Sequence, residues 1–236
     1  MAPDLAERLL AARDQAAGAS APARNLALLA AAGAGEAGLP DLPVGTCDRR
    51  LLALRQALLG DRLAAVADCP ACGTIVEATL ALPALALPPA AAGTVTVREA
   101  GWTVTARLPT LADQIAAATA PGSQAARALL LARCVQQASP GLAEDLPEAV
   151  ATTLAGAMAE ADPQADIELL LHCPACGAEA LLAFDIGGFL WRELDAWADR
   201  LLHEVHSLAL AYGWSEAAIL ALPERRRRHY LGLLAA

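Results

Sequence analysis

Four of the six cysteines occur in two copies of one pentapeptide. The copies are Cys69-Pro70-Ala71-Cys72-Gly73 and Cys173-Pro174-Ala175-Cys176-Gly177. Each copy forms a knuckle, a tight Cys-x-x-Cys turn that can direct two thiolates at one ion, with proline fixing the turn and glycine supplying the left-handed residue. Two knuckles supply four soft thiolates, the donor set of a closed, tetrahedral structural zinc site. The spacing therefore predicts one structural Zn²⁺ bound by Cys69, Cys72, Cys173 and Cys176.

Three other uses of these cysteines remain open. A redox dithiol would use one Cys-Pro-x-Cys at the start of a helix in a βαβ unit, whereas both copies here run into glycine and strand-like residues. Disulfides would need an oxidising compartment, for which no targeting signal is found. Two separate metal sites would each lack two ligands. One shared zinc is favoured, and the remaining Cys47 and Cys134, beside leucines in helical patterns, are expected to be small buried side chains.

Length and composition favour a substantial, mainly helical core. The 236 residues are 56% apolar but only 3% aromatic, so aliphatic helix faces must build the core, and overall disorder is excluded. Twenty-six acidic and 17 basic residues give a net charge of −9, which disfavours broad nucleic-acid binding. Prolines and charges interrupt the apolar runs before they reach about 18 residues, the least that a membrane span needs. We therefore expect no membrane segment and a cytoplasmic location.

Strand-like segments flank each knuckle. Residues 62–82 and 167–185 both have the pattern strand, knuckle, strand, so each is predicted to be half of a zinc ribbon. The residues between them, about 83–165, are predicted to be an insertion that begins with a Pro/Ala linker and contains a β-hairpin over 94–105. Its helices are expected over 110–119, starting with a Thr110/Asp113 capping box, 123–138 and 147–161. The predicted fold class is α+β, mainly helical, with a split zinc ribbon in a domain of residues 46–186.

The N-terminal 45 residues are rich in alanine and glycine. They are expected to be a flexible segment with short helices near 4–17 and 24–32. A G-x-G-x-x-G at 33–38 is followed by prolines that cannot continue a helix, so it is not a dinucleotide-binding loop. The first helix of the predicted ribbon domain follows, over 46–59.

Residues 187–236 are predicted to be a helical tail. A long amphipathic helix over 189–208 precedes a short helix capped by Ser215 and a last helix opened by Pro223. The candidate partner-binding residues of this tail are Trp191, Trp197, Trp214, Arg225, Arg226 and Arg228. The alternatives are that the tryptophans belong to the core, and that the arginines form a solvated face or contact nucleic acid.

One short motif resembles a catalytic metal site. His203-Glu204-Val205-His206 places two histidines three apart, whereas zinc proteases need them four apart with the glutamate between. A second metal site on this helix face stays open as a hypothesis. No Ser/His/Asp arrangement, phosphate-binding loop or paired-carboxylate motif stands out, so the chain is predicted not to be an enzyme and to have no small-molecule substrate.

The order of these motifs resembles the baseplate hub assembly chaperone family of T-even-type bacteriophages, including relatives encoded beside phage-like contractile injection systems. The resemblance covers most of the chain after residue 43 and is one of pattern. Its motifs are Leu42-Pro43-Val44-Gly45, Ala67-Asp68 with the first knuckle, Arg107-Leu108-Pro109-Thr110 before Asp113, the second knuckle, Phe184-Asp185, Glu204-Val205-His206, Tyr212-Gly213-Trp214-Ser215-Glu216 and Leu222-Pro223-Glu224-Arg225-Arg226.

The resemblance implies a non-enzymatic protein that helps to assemble the hub or baseplate of a contractile tail, as a transient chaperone or as a minor baseplate component. Its partners would be hub, spike or baseplate proteins, and it would act in the cytoplasm or be incorporated in a contractile particle. A second hypothesis is a zinc-ribbon regulator that contacts nucleic acid or the transcription machinery through the arginines at 225–228.

Overall fold

The structure, a computed structural model, describes residues 3–33, 38–91 and 93–234. It is a mixed α+β protein with small antiparallel sheets, in which 57% of the described residues are helical, in agreement with the predicted fold class at that level. The chain divides into two compact units, Met1–Ala37 with Gly187–Ala236, and Gly38–Ile186.

The described helices and strands follow one another along the chain in this order. The helices are α1 (Pro3–Ala16), α2 (Ala21–Ala31), α3 (Val44–Leu59), α4 (Leu111–Ala117), α5 (Ser123–Cys134), α6 (Glu148–Ala161), α7 (Ile186–Tyr212), α8 (Glu216–Leu220) and α9 (Glu224–Leu234). The strands are β1 (Arg62–Asp68), β2 (Ile75–Ala81), β3 (Thr94–Glu99), β4 (Trp102–Arg107), β5 (Val135–Ser139), β6 (Glu168–His172) and β7 (Glu179–Ala183).

An apolar cluster along α7 forms a core of the first unit. Leu10 of α1 joins this cluster, whose other buried members come from α7 and α8. These members are Ala198, Leu201, Val205, Leu208, Ile219 and Leu220. The predicted Ser215 cap is confirmed, because its Oγ accepts a hydrogen bond from Ala218 N at 3.3 Å. The core of this unit is therefore formed by one amphipathic helix with shorter helices packed along it.

The N-terminal helices belong to this same unit. Arg13 of α1 donates from Nε to Asp195 Oδ1 at 2.8 Å and from Nη2 to Asp199 Oδ1 at 2.9 Å. Leu9 and Leu10 of α1 are 2% and 8% exposed. This division differs from the predicted one, which treated 1–45 as a flexible segment apart from a tail at 187–236. Burial of one leucine-bearing face of α1 is the physical reason, because helical order then follows from tertiary packing.

A three-stranded antiparallel sheet in the order β3-β4-β5 forms the centre of the inserted region. Helix α6 packs against it, and the buried core contains Val97, Val104, Val150 and Leu154. Cys134 lies in this core at 1% exposure, and Cys47 of α3 is equally buried, so both are confirmed as buried side chains. The predicted hairpin over 94–105 is present as β3 and β4.

The predicted helix over 123–138 is wrong at its C-terminal end. Helix α5 ends at Cys134, and residues 135–139 form β5, which pairs with β4 from Thr103 to Ala106 with a bulge at Thr105/Ala106. The edge of β4 that is not paired with β3 forms backbone hydrogen bonds with residues 135–139, in place of those that a longer α5 would have formed. A tertiary partner therefore overrides a local pattern that fits a helix.

Helix α4 begins with the predicted capping box, which is confirmed. Asp113 is fully buried, accepts hydrogen bonds from Thr110, and forms ion pairs with Arg107 and Arg133 at 2.5 and 2.7 Å. Burial alone would raise the pKa of Asp113, but the two guanidinium groups and the Thr110 hydrogen bonds hold it well below its usual range. The capping residue thus also ties β4, α4 and α5 together.

Helix α3 starts against the C-terminal end of α6. Gly45 N donates to Asp162 Oδ2 at 2.9 Å. The carboxylate of Asp162 therefore accepts one of the free N–H groups in the first turn of α3, where Pro43 provides no side-chain cap. A Cβ on Gly45 would lie 2.0 Å from Asp162 Oδ1, so this approach requires glycine. Burial, with the charges of Asp185 and Asp162, raises the pKa of Asp48 to about 7.

Gln164 joins the two ends of the insertion. Its fully buried side chain accepts a hydrogen bond from Leu87 N at 2.8 Å and donates to Leu85 O at 3.2 Å. Leu82 and Leu85 are themselves buried in a short 3₁₀ turn, so the start of the predicted 83–92 linker is anchored. The chain therefore leaves the first knuckle hairpin and approaches the second at neighbouring points.

Candidate metal centre

Each knuckle is the turn of a two-stranded antiparallel hairpin. β1 and β2 flank the first, from Arg62↔Ala81 to Asp68↔Ile75, and β6 and β7 flank the second, from Glu168↔Ala183 to His172↔Glu179. Each pentapeptide therefore lies in a β-hairpin turn and does not open a helix, the position a redox dithiol would take.

The two knuckles have the same hydrogen bonds. Gly73 N donates to Cys69 O at 2.8 Å, and Gly177 N donates to Cys173 O at 2.9 Å. The first cysteine of each knuckle also donates its N–H across the turn at 2.9 Å, to Thr74 O or Ala178 O. Both glycines are left-handed, with φ of +71° and +72°, a conformation that costs other residues more. The repeated sequence therefore folds into a repeated geometry.

The four cysteine sulfurs converge on one point in the second unit. All four Sγ atoms lie within 4.8 Å of one another. Cys69 Sγ is 3.8 Å from Cys176 Sγ, and Cys72 Sγ is 3.7 Å from Cys173 Sγ, so each close pair takes one cysteine from each knuckle. A tetrahedral ion with metal–sulfur bonds of about 2.3 Å needs S···S separations of about 3.8 Å. A disulfide needs about 2.05 Å, so the cluster has the spacing of ligands.

The cluster has an inner and an outer side. The first cysteine of each knuckle is buried, Cys69 at 2% and Cys173 at 0% exposure, whereas Cys72 and Cys176 are exposed. A metal ion bound here would be held on its inner side by the two buried cysteines and on its solvent side by the two exposed ones.

The surroundings of the exposed thiols differ between the knuckles. The Thr74 hydroxyl lies 3.3 Å from Cys72 Sγ, and hydrogen bonds from the Thr74 side chain and backbone lower the pKa of Cys72 to about 6. The N–H of Ala178 lowers the pKa of Cys176, but hydrogen bonds with Cys72 and Cys173 outweigh it and raise that pKa to about 12. A cation between four sulfurs would favour their thiolate forms. The sequence analysis did not predict the contact of Thr74 with Cys72. The signal that could have found it is the residue after each glycine, which is Thr74 in the first knuckle and Ala178 in the second.

The histidine motif of α7 does not join a metal centre. Among the residues that the structure describes, the four cysteines are the one group of His, Cys, Asp or Glu close enough to hold a metal ion. His203 is exposed, with Nδ1 2.7 Å from Asp199 O, and His206 is exposed on the same helix. Nothing in the described chain therefore supports the hypothesis of a second metal at this motif.

The three candidate tryptophans of the tail differ in how far they are buried in the first unit. Trp191 is 6% exposed, and the guanidinium carbon of Arg24 lies 5.0 Å from its ring centroid. Trp197 and Trp214 are partly buried against the apolar cluster of α7, and Trp214 stacks on Tyr212 at 4.8 Å. Trp191 is therefore a core residue, whereas Trp197 and Trp214 keep some accessible surface.

The four consecutive arginines at the start of α9 have different surroundings. Arg227 is buried, and its side chain donates to Glu204 at 3.0 Å and to Leu222 O at 2.8 Å. Arg225, Arg226 and Arg228 are exposed, and Arg228 pairs with Glu224 one turn earlier. One arginine therefore holds α9 to α7, and the three candidate partner residues are accessible.

None of the described helices is both long and apolar enough to cross a membrane. Comparison with protein-family models, curated proteins and solved structures found no match to this chain.

Proposed function

We propose that the four-cysteine cluster binds one structural Zn²⁺ that closes a split zinc ribbon, and that the chain is a non-enzymatic assembly protein. The observation that carries the proposal is the meeting of four sulfurs from two identical knuckles at the separations of a tetrahedral site. Four thiolates complete the coordination of zinc, so the ion has no open position for a substrate or an activated water. Its role is therefore to join two hairpins.

The metal would act on the whole second unit because its ligands are far apart in sequence. Cys72 and Cys173 enclose 100 residues. Closing such a loop costs about 4–5 kcal/mol, whereas structural zinc contributes about 10 kcal/mol or more at neutral pH in apparent terms. A two-stranded hairpin is only marginally stable alone, and zinc would stabilise two of them at once.

The assembly function that we propose is in the hub or baseplate of a phage tail-like contractile injection system, as a chaperone or minor component. Its support is the order of motifs around the two knuckles and in the tail. The exposed Arg225, Arg226 and Arg228 would contact acidic surfaces of hub, spike or baseplate proteins, in the cytoplasm or in the particle. The partly accessible Trp197 and Trp214 would add apolar contacts.

Metal analysis tests the zinc part of the proposal. Protein purified under reducing conditions should contain one zinc per chain, and two zinc ions or none would contradict a shared structural site.

Co-purification with tail proteins tests the assembly part. Changing the three exposed arginines of α9 to glutamate should abolish co-purification while zinc content and melting temperature stay nearly unchanged, because exposed charges contribute little to folding. A matched control changes three exposed arginines elsewhere to glutamate: Arg62, Arg98 and Arg200. Retained co-purification in the α9 variant, or equal loss in the control, would contradict the proposed surface. Tight DNA binding that falls steeply with salt would favour the zinc-ribbon regulator instead.

A further inference from the structure

A small cavity, separate from the cysteines, lies in the first unit where the first turns of α2 and α7 meet. Its volume is 120 Å³, and its lining includes Ala21, Arg24 and Asn25 of α2 with Gly187, Trp191 and Arg192 of α7. The two helices approach closely here, since a Cβ on Gly187 would lie 2.2 Å from the Asn25 amide oxygen. The cavity is therefore formed by the packing of two helix starts.

The lining of this cavity carries two positive charges and no acidic side chain. Arg24 donates from Nη2 to Ala17 O at 2.6 Å, and its buried Nε has no hydrogen-bond partner among the described residues. The guanidinium carbon of Arg192 lies 5.5 Å from the centroid of the Phe189 ring. Neither arginine forms an ion pair within the described chain, whereas Arg13 of the same unit pairs with two aspartates.

We propose that this cavity, the Arg24–Arg192 pocket, binds a small oxyanion, either a phosphate or a carboxylate group. Both arginines line the cavity, Arg24 partly buried and Arg192 exposed, and an oxyanion in it would accept charge-assisted hydrogen bonds from their guanidinium groups. The first turn of α2, which has no side-chain cap at Ser20, adds the positive end of its dipole. Pockets for drug-sized ligands are about 300–1,000 Å³, so this one takes a single anionic group.

Titration of the full-length, zinc-loaded protein at constant ionic strength tests the pocket. Inorganic phosphate and acetate are added in separate experiments, with chloride as the reference salt, and binding is followed by calorimetry and by the indole signals in NMR. We expect saturable binding of one anion per chain, and the tighter of the two identifies the group that the pocket takes. Absence of saturable binding by both anions would overturn the proposal.

Two variants locate the bound anion. Arg192→Gln should weaken binding about tenfold or more, since it removes one of the two charged donors. Arg200→Gln is the matched control, because Arg200 is exposed on the same helix and lies outside the pocket. Arg24→Gln should weaken binding similarly, but Arg192→Gln keeps the test valid if losing the Arg24 contacts to Ala17 and Trp191 unfolds the unit. Equal weakening in Arg192→Gln and Arg200→Gln would show a nonspecific charge effect and overturn the assignment.

Discussion

Replacing one buried cysteine should separate the role of the metal from the role of the core around it. Cys173→Ser removes one of the four proposed ligands, a side chain that is 0% exposed, and would leave three thiolates around an open position. We expect the purified variant to lose zinc, because the remaining ligands belong to a cluster whose closure depended on both knuckles.

The size of the effect follows from the loop that the proposed metal would close. Without the metal, the roughly 4–5 kcal/mol cost of closing the 100 residues between Cys72 and Cys173 is no longer offset. Gln164 holds the ends of the insertion by two hydrogen bonds, which recover about 1–3 kcal/mol of that cost. The expected loss of unfolding free energy is therefore at least the remaining cost of about 1–4 kcal/mol and at most the roughly 10 kcal/mol that structural zinc contributes, a large part of the stability of a typical domain.

Hydrogen exchange should show where this stability is lost. Amides of the paired strands β1–β2 and β6–β7 should exchange much faster, because each pair is a two-stranded hairpin. Amides of β3 and β4 should keep most of their protection, because they have a separate core with α6. Cys47→Ala, which removes a buried thiol outside the cluster, should retain one zinc. Zinc retained at one per chain by Cys173→Ser, or unchanged exchange in the two hairpins after zinc loss, would refute the reasoning.

Two further predictions concern the start of α3. Gly45→Ala should cost about 2–4 kcal/mol in urea unfolding, because its Cβ would lie 2.0 Å from a carboxylate oxygen of Asp162 and displace it from a buried hydrogen bond. Gly156→Ala is its control: it has open space in an exposed helix position and should stabilise by about 0.5–1 kcal/mol, and equal effects would contradict the close approach. For Asp48, the pKa of about 7 lies above its unfolded value, so its stabilising effect is complete below about pH 4 and is lost as the pH rises through 7. Asp48→Asn should therefore flatten the fall in stability between about pH 4 and pH 7, and an unchanged slope would show that Asp48 does not cause it.

Local signals were sufficient wherever one short segment fixes its own geometry. The capping box of Thr110 and Asp113 and the Ser215 cap were predicted because each needs a side chain and a backbone group three residues apart. The hairpin β3–β4 was predicted because its strands alternate around a glycine.

Local sequence signals failed where a residue distant in sequence determines the local conformation. Val135–Ser139 has no strong strand pattern of its own and becomes β5 because β4 offers an open edge. The expected short helix near 4–17 is present as α1, but the burial of Leu9 and Leu10 that joins it to the first unit was not predicted from composition. Arg227 was not among the candidate partner residues, but its ion pair with Glu204 of α7, 23 residues earlier, could not be predicted from local sequence.

The cysteine cluster lies between these two cases. Each knuckle fixes its own turn, and the equal φ angles of Gly73 and Gly177 show that the pentapeptide is sufficient for it, although Thr74 follows one glycine and Ala178 the other. Neither knuckle determines where the other two cysteines of the cluster come from. That partner was predictable only because the motif occurs twice, and half a tetrahedral site is incomplete without the other half. The repeat therefore predicts a long-range contact that neither segment predicts alone. In the structure this contact consists of the close sulfur pairs Cys69–Cys176 and Cys72–Cys173.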